Sequence, residues 1–217
     1  MICWRKLSRF LLYGIAVFVP IVASAEVTFS GLTADLERNA RALMPVVAAS
    51  CDVTEWRVER LFRNSDVQLR NALEALGYYR YEMQKSLSFA ETGCWQASFT
   101  VVLGEPVHVR DVSITVEGEA RSDTEFDAAP ELQPQVGDVL DHGAYESYKK
   151  SIISKLSTRG YFDVRLTESR VTVDEHLQYA DIALRVESGP RYHFGEVHFS
   201  EPILSPKILS SFVRFKK

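Results

Sequence analysis

Two stretches of this chain repeat each other: Leu76-Gly77-Tyr78-Tyr79 returns as Arg159-Gly160-Tyr161-Phe162, 83 residues later. Two alternating stretches follow each copy, then a glycine and a proline (Gly104-Glu105-Pro106, then Gly189-Pro190), then another alternating stretch. Gly104 and Gly189 lie 85 apart, as do Val112 and Val197. A period near 84 sets the architecture before any single motif does. It implies two tandem domains, residues 26–107 and 108–189, and the incomplete start of a third over residues 190–217.

Periodicity gives the element order inside each copy. In the second, Tyr145, Tyr148, Lys149, Ile152, Ile153 and Leu156 fall on one helical face, with Lys149 as its one polar member. Gly160 suits the end of that helix, because glycine enters the left-handed region without a steric penalty. Residues 164–173 are rich in β-formers, Asp174-Glu175-His176 supplies a hairpin loop, and Ala180, Ile182, Leu184 and Val186 alternate as a half-buried strand should. The first copy repeats this order. Leu69, Ala72, Leu73 and Leu76 make a helix face before Gly77; Tyr79 to Phe89 and Trp95 to Leu103 then alternate. An earlier helix carries Leu36, Ala40, Leu43 and Val47, with Thr33 as its N-cap. Opening strands are read at Val27–Phe29, at Val112, Ile114 and Val116, and at Val197 and Phe199. The expected fold class is α+β, each unit running strand-helix-helix-strand-strand with two helices on one face of a three-stranded sheet.

The first 25 residues differ from the rest. Arg5, Lys6 and Arg9 precede an apolar run from Phe10 to Val22, and Ala23-Ser24-Ala25 closes it. A bilayer span needs roughly 20 apolar residues, so this is read as a signal peptide cleaved after Ala25; an uncleaved inner-membrane anchor is the rival reading. Removing three positive charges takes the net charge from −4 to −7, which leaves no basic surface for phosphates and argues against nucleic acid as a partner. Beyond Cys3 the chain keeps one pair, Cys51 and Cys94. In an exported protein the two are either bridged or left as buried thiols, and spacing alone does not choose between these.

Catalysis needs convergent groups, and the sequence offers none of the familiar sets: no P-loop, dinucleotide fingerprint, G-x-S-x-G or H-E-x-x-H. His193 and His198, five apart, fall on opposite faces of a strand and make poor co-ligands. Asp123-x-Glu125-x-Asp127 lacks the glycine and distal glutamate of a calcium loop and is read as a solvated helix start. Ser147 and Ser151 beside Lys149 and Lys150 are read as a polar helix face. The expectation is no enzyme, no cofactor and no metal site. What remains is binding through backbone: the edge of a small sheet offers free N–H and C=O groups to an extended chain.

Strand-helix-helix-strand-strand units in tandem behind a signal peptide resemble POTRA domains, the transport-associated modules of the BamA/TamA outer-membrane assembly superfamily. Ala75-Leu76-Gly77-Tyr78-Tyr79, Gly137-Asp138-Val139-Leu140, Tyr145-Glu146, Lys149-Lys150-Ser151, Gly160-Tyr161-Phe162-Asp163 and residues 188–195, Ser-Gly-Pro-Arg-Tyr-His-Phe-Gly, are similar in order and spacing to TamA-like members. The glycines and the aromatic residues after them are read as helix stops and core plugs. The resemblance implies an arm in the periplasm of an outer-membrane protein, a TamB-like inner-membrane-anchored partner, and unfolded outer-membrane protein or autotransporter clients. It also implies attachment to the outer membrane through a C-terminal barrel, for which this sequence has no strand series; a fragment or a truncated gene is expected. By the same resemblance the second strand of each unit is the exposed edge, about residues 79–89 and 164–173, the latter carrying Arg165, Leu166, Thr167, Glu168, Ser169 and Arg170 as the partner-binding segment. Two-partner secretion transporters and inner-membrane-anchored structural proteins with a POTRA unit are the alternatives.

Overall fold

The computed structural model describes residues 24–91, 94–174, 176, 178–197, 205 and 208. The signal-peptide reading of residues 1–25 and the strand and helix expected for a third unit fall almost wholly outside them, as do His198 and part of the hairpin loop at Glu175. Among the described residues, six strands and three α-helices follow one another as β1 (Glu26–Ser30), α1 (Ala34–Leu43), α2 (Glu55–Glu74), β2 (Tyr81–Phe89), β3 (Trp95–Leu103), β4 (His108–Glu117), α3 (His142–Thr158), β5 (Arg165–Asp174) and β6 (Tyr179–Glu187). They form two three-stranded sheets of one topology, ordered β1-β3-β2 and β4-β6-β5. In each, the last strand is central, parallel to the opening strand and antiparallel to the second. The fold is α+β, as the period and the alternation imply.

The central strands carry the two cores. Trp95, Ala97, Phe99 and Val101 of β3 are buried against Leu36 and Ala40 of α1 and Val58, Leu69, Ala72 and Leu73 of α2. Ala180, Ile182, Leu184 and Val186 of β6 are buried against Tyr145, Tyr148, Ile152 and Leu156 of α3. Burying a side chain such as Phe99 stabilises by about 1.5–3 kcal/mol over leaving it exposed.

Helix ends follow the sequence closely. The Thr33 hydroxyl accepts from the Leu36 amide, and Asp35, Glu37 and Arg41 suit the dipole of α1. Pro45 biases Met44 to an extended conformation, so α1 stops at Leu43 and Val47 sits in a 3₁₀ turn rather than on the helix face expected for it. Both α2 and α3 close identically: the Tyr78 amide reaches the Leu73 carbonyl at 3.0 Å and the Tyr161 amide reaches Leu156 at 3.1 Å. Gly77 (φ 86°) and Gly160 (φ 94°) supply the left-handed residue between.

The second unit departs from expectation in one respect. Its first helix is absent, and residues 118–135 hold only two 3₁₀ turns, Glu119–Ser122 and Pro130–Leu132. The segment has Pro130 and Pro134 and no apolar stripe at helical spacing. Asp123 and Asp127 instead accept the amides of Glu125 and Ala129, a local turn bond that competes with helix. The helix start expected at Asp123–Asp127 is therefore corrected to a run of turns, with Ala120, Phe126 and Ala129 turned onto the core.

Cys51 and Cys94 are joined by a disulfide, their Cα atoms 4.6 Å apart across a sequence separation of 43. It ties the loop before α2 to the foot of β3, where Trp95 is buried and donates to the Ser50 carbonyl at 3.3 Å. The two sheets meet through backbone. The Val107 amide donates to the Gly77 carbonyl (2.8 Å), the Leu140 amide to Val107 (2.8 Å) and the His142 amide to Ala75 (2.9 Å). Tyr79 packs against the second core, its hydroxyl 2.7 Å from Nε2 of His142.

Replacing both Cys51 and Cys94 by serine is expected to lower stability by about 3–4 kcal/mol, the chain-entropy value for a loop of this length; a loss under about 1 kcal/mol in urea unfolding would show the tie to be redundant. Gly77→Ala should cost more than about 1 kcal/mol, since a Cβ there adds positive-φ strain and stands 2.7 Å from the Leu140 carbonyl oxygen. Thermal unfolding that matches the wild type would refute it.

Candidate strand-binding edges

Among the described residues, each sheet pairs only its central strand on both sides, so β1, β2, β4 and β5 are all edges there. They are not equivalent templates. β1 has five residues, and Arg41 of α1 already donates to its Val27 carbonyl at 3.1 Å. β4 breaks register between Val109 and Asp111, where Arg110 is bulged out and its guanidinium donates to Asp181 across the sheet while lying 3.4 Å from the centroid of the Tyr179 ring. β5 breaks register between Leu166 and Glu168, so Thr167 is an extra residue and its hydroxyl turns to the Arg185 carbonyl at 3.3 Å. β2 alone among these runs nine residues in unbroken register, from Tyr81 opposite Leu103 to Phe89 opposite Trp95.

The structure thus places Arg165, Leu166, Thr167, Glu168, Ser169 and Arg170 together on one edge strand, as expected from the sequence, but with a bulge in their midst. A bulge kinks and twists a strand and interrupts its ladder. Arg170 pairs with Glu168 at 2.9 Å, Ser169 is engaged by Tyr145 and Lys149 of α3, and Leu166 is 38% exposed. These are the devices with which sheets blunt an edge. On β2 the outward side chains are Glu82, Gln84, Ser86 and Ser88, with Ser86 bonded to Ser98 of β3 at 2.8 Å; the inward ones are half-buried.

The bulges escaped the sequence reading, yet the signal is present. Apolar residues in the second strand switch from even positions (Val164, Leu166) to odd ones (Val171, Val173), and before β6 those of β4 switch from odd (Val107, Val109) to even (Val112, Ile114, Val116). A change of phase in a period-two pattern requires one residue too many.

At the far end of the second unit, Asp123 gathers a cationic cluster. Arg159 grips its carboxylate with two hydrogen bonds (2.9 and 2.8 Å) and reaches Glu125 at 2.9 Å; the Tyr161 hydroxyl donates at 3.2 Å and Arg191 stands at 3.9 Å. The Asp123 side chain is 8% exposed. The Arg159 hydrogen bonds hold its carboxyl at about 2, below the ordinary 3.8, and the same contacts raise Arg159. Burial, then the bond to Asp123, raises the Tyr161 phenol. Tyr161 is a core plug as expected, but Phe162 is 67% exposed and lies tilted against Tyr192 with ring centroids 5.7 Å apart, so it is not one. Its counterpart Tyr79 is covered by the following unit.

Among the described residues, no group of three or more His, Cys, Asp and Glu side chains is placed to hold a metal ion, and no helix is long and apolar enough to cross a membrane.

Among the described residues the chain is thus a pair of three-stranded units of one topology, each with helix packed on one face. Residues 26–103 match the family model described as POTRA domain, TamA domain 1. The first unit is similar to that domain, and the second repeats its sheet topology. Solved structures similar to the chain include POTRA domains 3–5 of BamA from Haemophilus influenzae (16% identity, 92% of this chain and 81% of that one, TM-score 0.44). Others are POTRA domains 1–2 of Omp85 from Anabaena (20%, 79% and 96%, TM-score 0.36) and CdiB from Acinetobacter baumannii (13%, 75% and 28%, TM-score 0.30).

The stability that Asp123 contributes is present in full above its ordinary value of 3.8 and is lost as pH falls through about 2, because the folded state holds the proton less tightly than the unfolded chain. Asp123→Asn should therefore melt below the wild type at neutral pH, and the gap should close towards pH 2. A gap that stays constant in melting curves across that range would refute the assignment.

Proposed function

We propose that this chain is the periplasmic POTRA arm of a TamA-like outer-membrane protein, and that it binds rather than catalyses. In this reading it works with a TamB-like inner-membrane-anchored partner to assist insertion and folding of outer-membrane proteins, autotransporters among them, a membrane barrel completing the protein. The family match over residues 26–103 supports the class. The observation that carries the mechanism is the regular nine-residue edge of β2.

An unfolded barrel strand is an extended segment of about ten residues whose side chains alternate apolar and polar. Added to β2, it would satisfy its backbone on the open edge, with main-chain hydrogen bonds giving affinity at little sequence demand. Such a segment would lay one set of side chains beside Tyr81, Met83, Leu87 and Phe89, the half-buried face of β2, and the other beside Gln84, Ser86 and Ser88. The bulge at Thr167 makes β5 the poorer acceptor.

A ten-residue alternating peptide titrated into the labelled protein should shift the amide resonances of β2 and leave β5 largely unmoved. Adjacent residues of a strand direct their amides to opposite sides, so of Ser86→Pro and Leu87→Pro one removes an outward donor and the other a bond to β3. The first should abolish the peptide shifts in a folded protein and the second should destabilise the sheet. Peptide shifts centred on β5, or unaffected by either proline, would overturn the assignment of β2.

A further inference from the structure

One cation occupies the same place in both units, and it comes from opposite sides. In the first, Lys85 of β2 reaches across to α2: its ammonium lies 4.7 Å from the centroid of the Phe62 ring, 2.6 Å from Asp66 and 2.9 Å from the Phe62 carbonyl, with Ser65 Oγ at 3.4 Å. The approach to Asp66 is ionic, with no aligned hydrogen bond to that oxygen. In the second, Lys149 of α3 reaches outward to β5: its ammonium lies 4.8 Å from the centroid of the Tyr145 ring, 2.6 Å from Glu146 and 3.1 Å from Ser169 Oγ. Both lysines are largely buried, with side chains 20% and 14% exposed.

The period of the chain puts these residues in register. Aligning Gly77 with Gly160 sets Phe62 on Tyr145, Arg63 on Glu146 and Asp66 on Lys149. Aligning Gly104 with Gly189 sets Phe99 on Leu184, and those residues pair with Lys85 and Ser169. The ring position is aromatic in both units. The lysine has changed sides of the seam while its carboxylate stays on the long helix, as Asp66 in one unit and as Glu146, in the place of Arg63, in the other.

We propose that the seam between the long helix and the second strand of each unit is an obligatory ammonium seat over an aromatic ring, and that the element supplying the lysine sets how firmly the edge strand is held. β2 is fixed by its own lysine, ion-paired to the helix. β5 is held by a neutral serine, since the ammonium beside it draws its carboxylate from its own helix at i−3. Both seats are charge-assisted, but at β2 the ion pair, the carbonyl bond and the ring contact all act on the strand's own ammonium, whereas at β5 they reach the strand only through the Ser169 hydroxyl. Lys85 is thus a positioning residue that keeps β2 straight and in place, whereas β5 is free to shift at its bulge. Its bearing on strand capture rests on the preceding section; the seat itself does not.

The test is hydrogen exchange of the ladder amides between each edge strand and its central strand, followed by NMR. Lys85→Met, which keeps the stem and removes the charge, should speed exchange in β2 by about tenfold while the β6 amides stay unchanged. The combined Arg63→Glu, Asp66→Lys and Lys85→Ser variant transplants the second unit's arrangement into the first and should refill the seat from the helix side, leaving exchange about threefold faster than the wild type and slower than in Lys85→Met. The reverse transplant, Lys149→Ser with Ser169→Lys, should slow exchange in β5, and it decides the matter if the first-unit variants do not fold. Unaltered exchange in Lys85→Met, or a transplant as loose as that single change, overturns the seat. Exchange that behaves as stated while the alternating peptide leaves β2 unshifted overturns strand capture alone.

Discussion

A helix that ends on a glycine at a φ of about 90° hands the chain back along its own last turn, and here that glycine's carbonyl also receives an amide from the segment entering the next unit. Gly77 takes Val107 and Gly160 takes Tyr192, each at 2.8 Å. The bond fixes where the second strand starts, because that strand leaves directly from the reversal, and fixes where the following unit starts. Edge strand, helix seam and junction all inherit their placement from this reversal, and side chains only refine it. Hence Tyr79 and His142 can meet across the junction although 63 residues separate them.

Much of this was legible because burial imposes period. The stripe from Tyr145 to Leu156 and the alternation of Ala180 to Val186 leave little choice of element, and Gly77 and Gly160 mark the stops. The first helix of the second unit was misjudged because a topology was carried over where the local residues spoke against it. Pro130, Pro134 and two aspartates able to cap their own turns outweigh a repeat. Glu125 is solvated as expected, but Asp123 is not, for a related reason: its partner Arg159 lies 36 positions away, and nothing in local spacing announces such an encounter.

The candidate edges were legible as strands and illegible as templates. A segment's suitability for pairing depends on unbroken register and on what engages its side chains from the neighbouring helix. The register was encoded in the phase of the apolar residues, whereas the helix contacts were not. Lys149 stood out as the one polar residue of its helix face, but its meaning appeared only beside Lys85, which occupies the same space from the other element.

The disulfide bears on what a strand bound at β2 would do to the protein. A segment lying along β2 and pulled along its length transmits shear to the β2–β3 pair, and the weak point of such a pair is its open end, where bonds fail one at a time. Cys94 sits at the loop end of that hairpin, beside the Phe89–Trp95 pair, and its bond to Cys51 passes tension from there straight into the segment before α2. Peeling from the loop end is closed off, so traction that opens this pair must start at the other end, where Tyr81 faces Leu103.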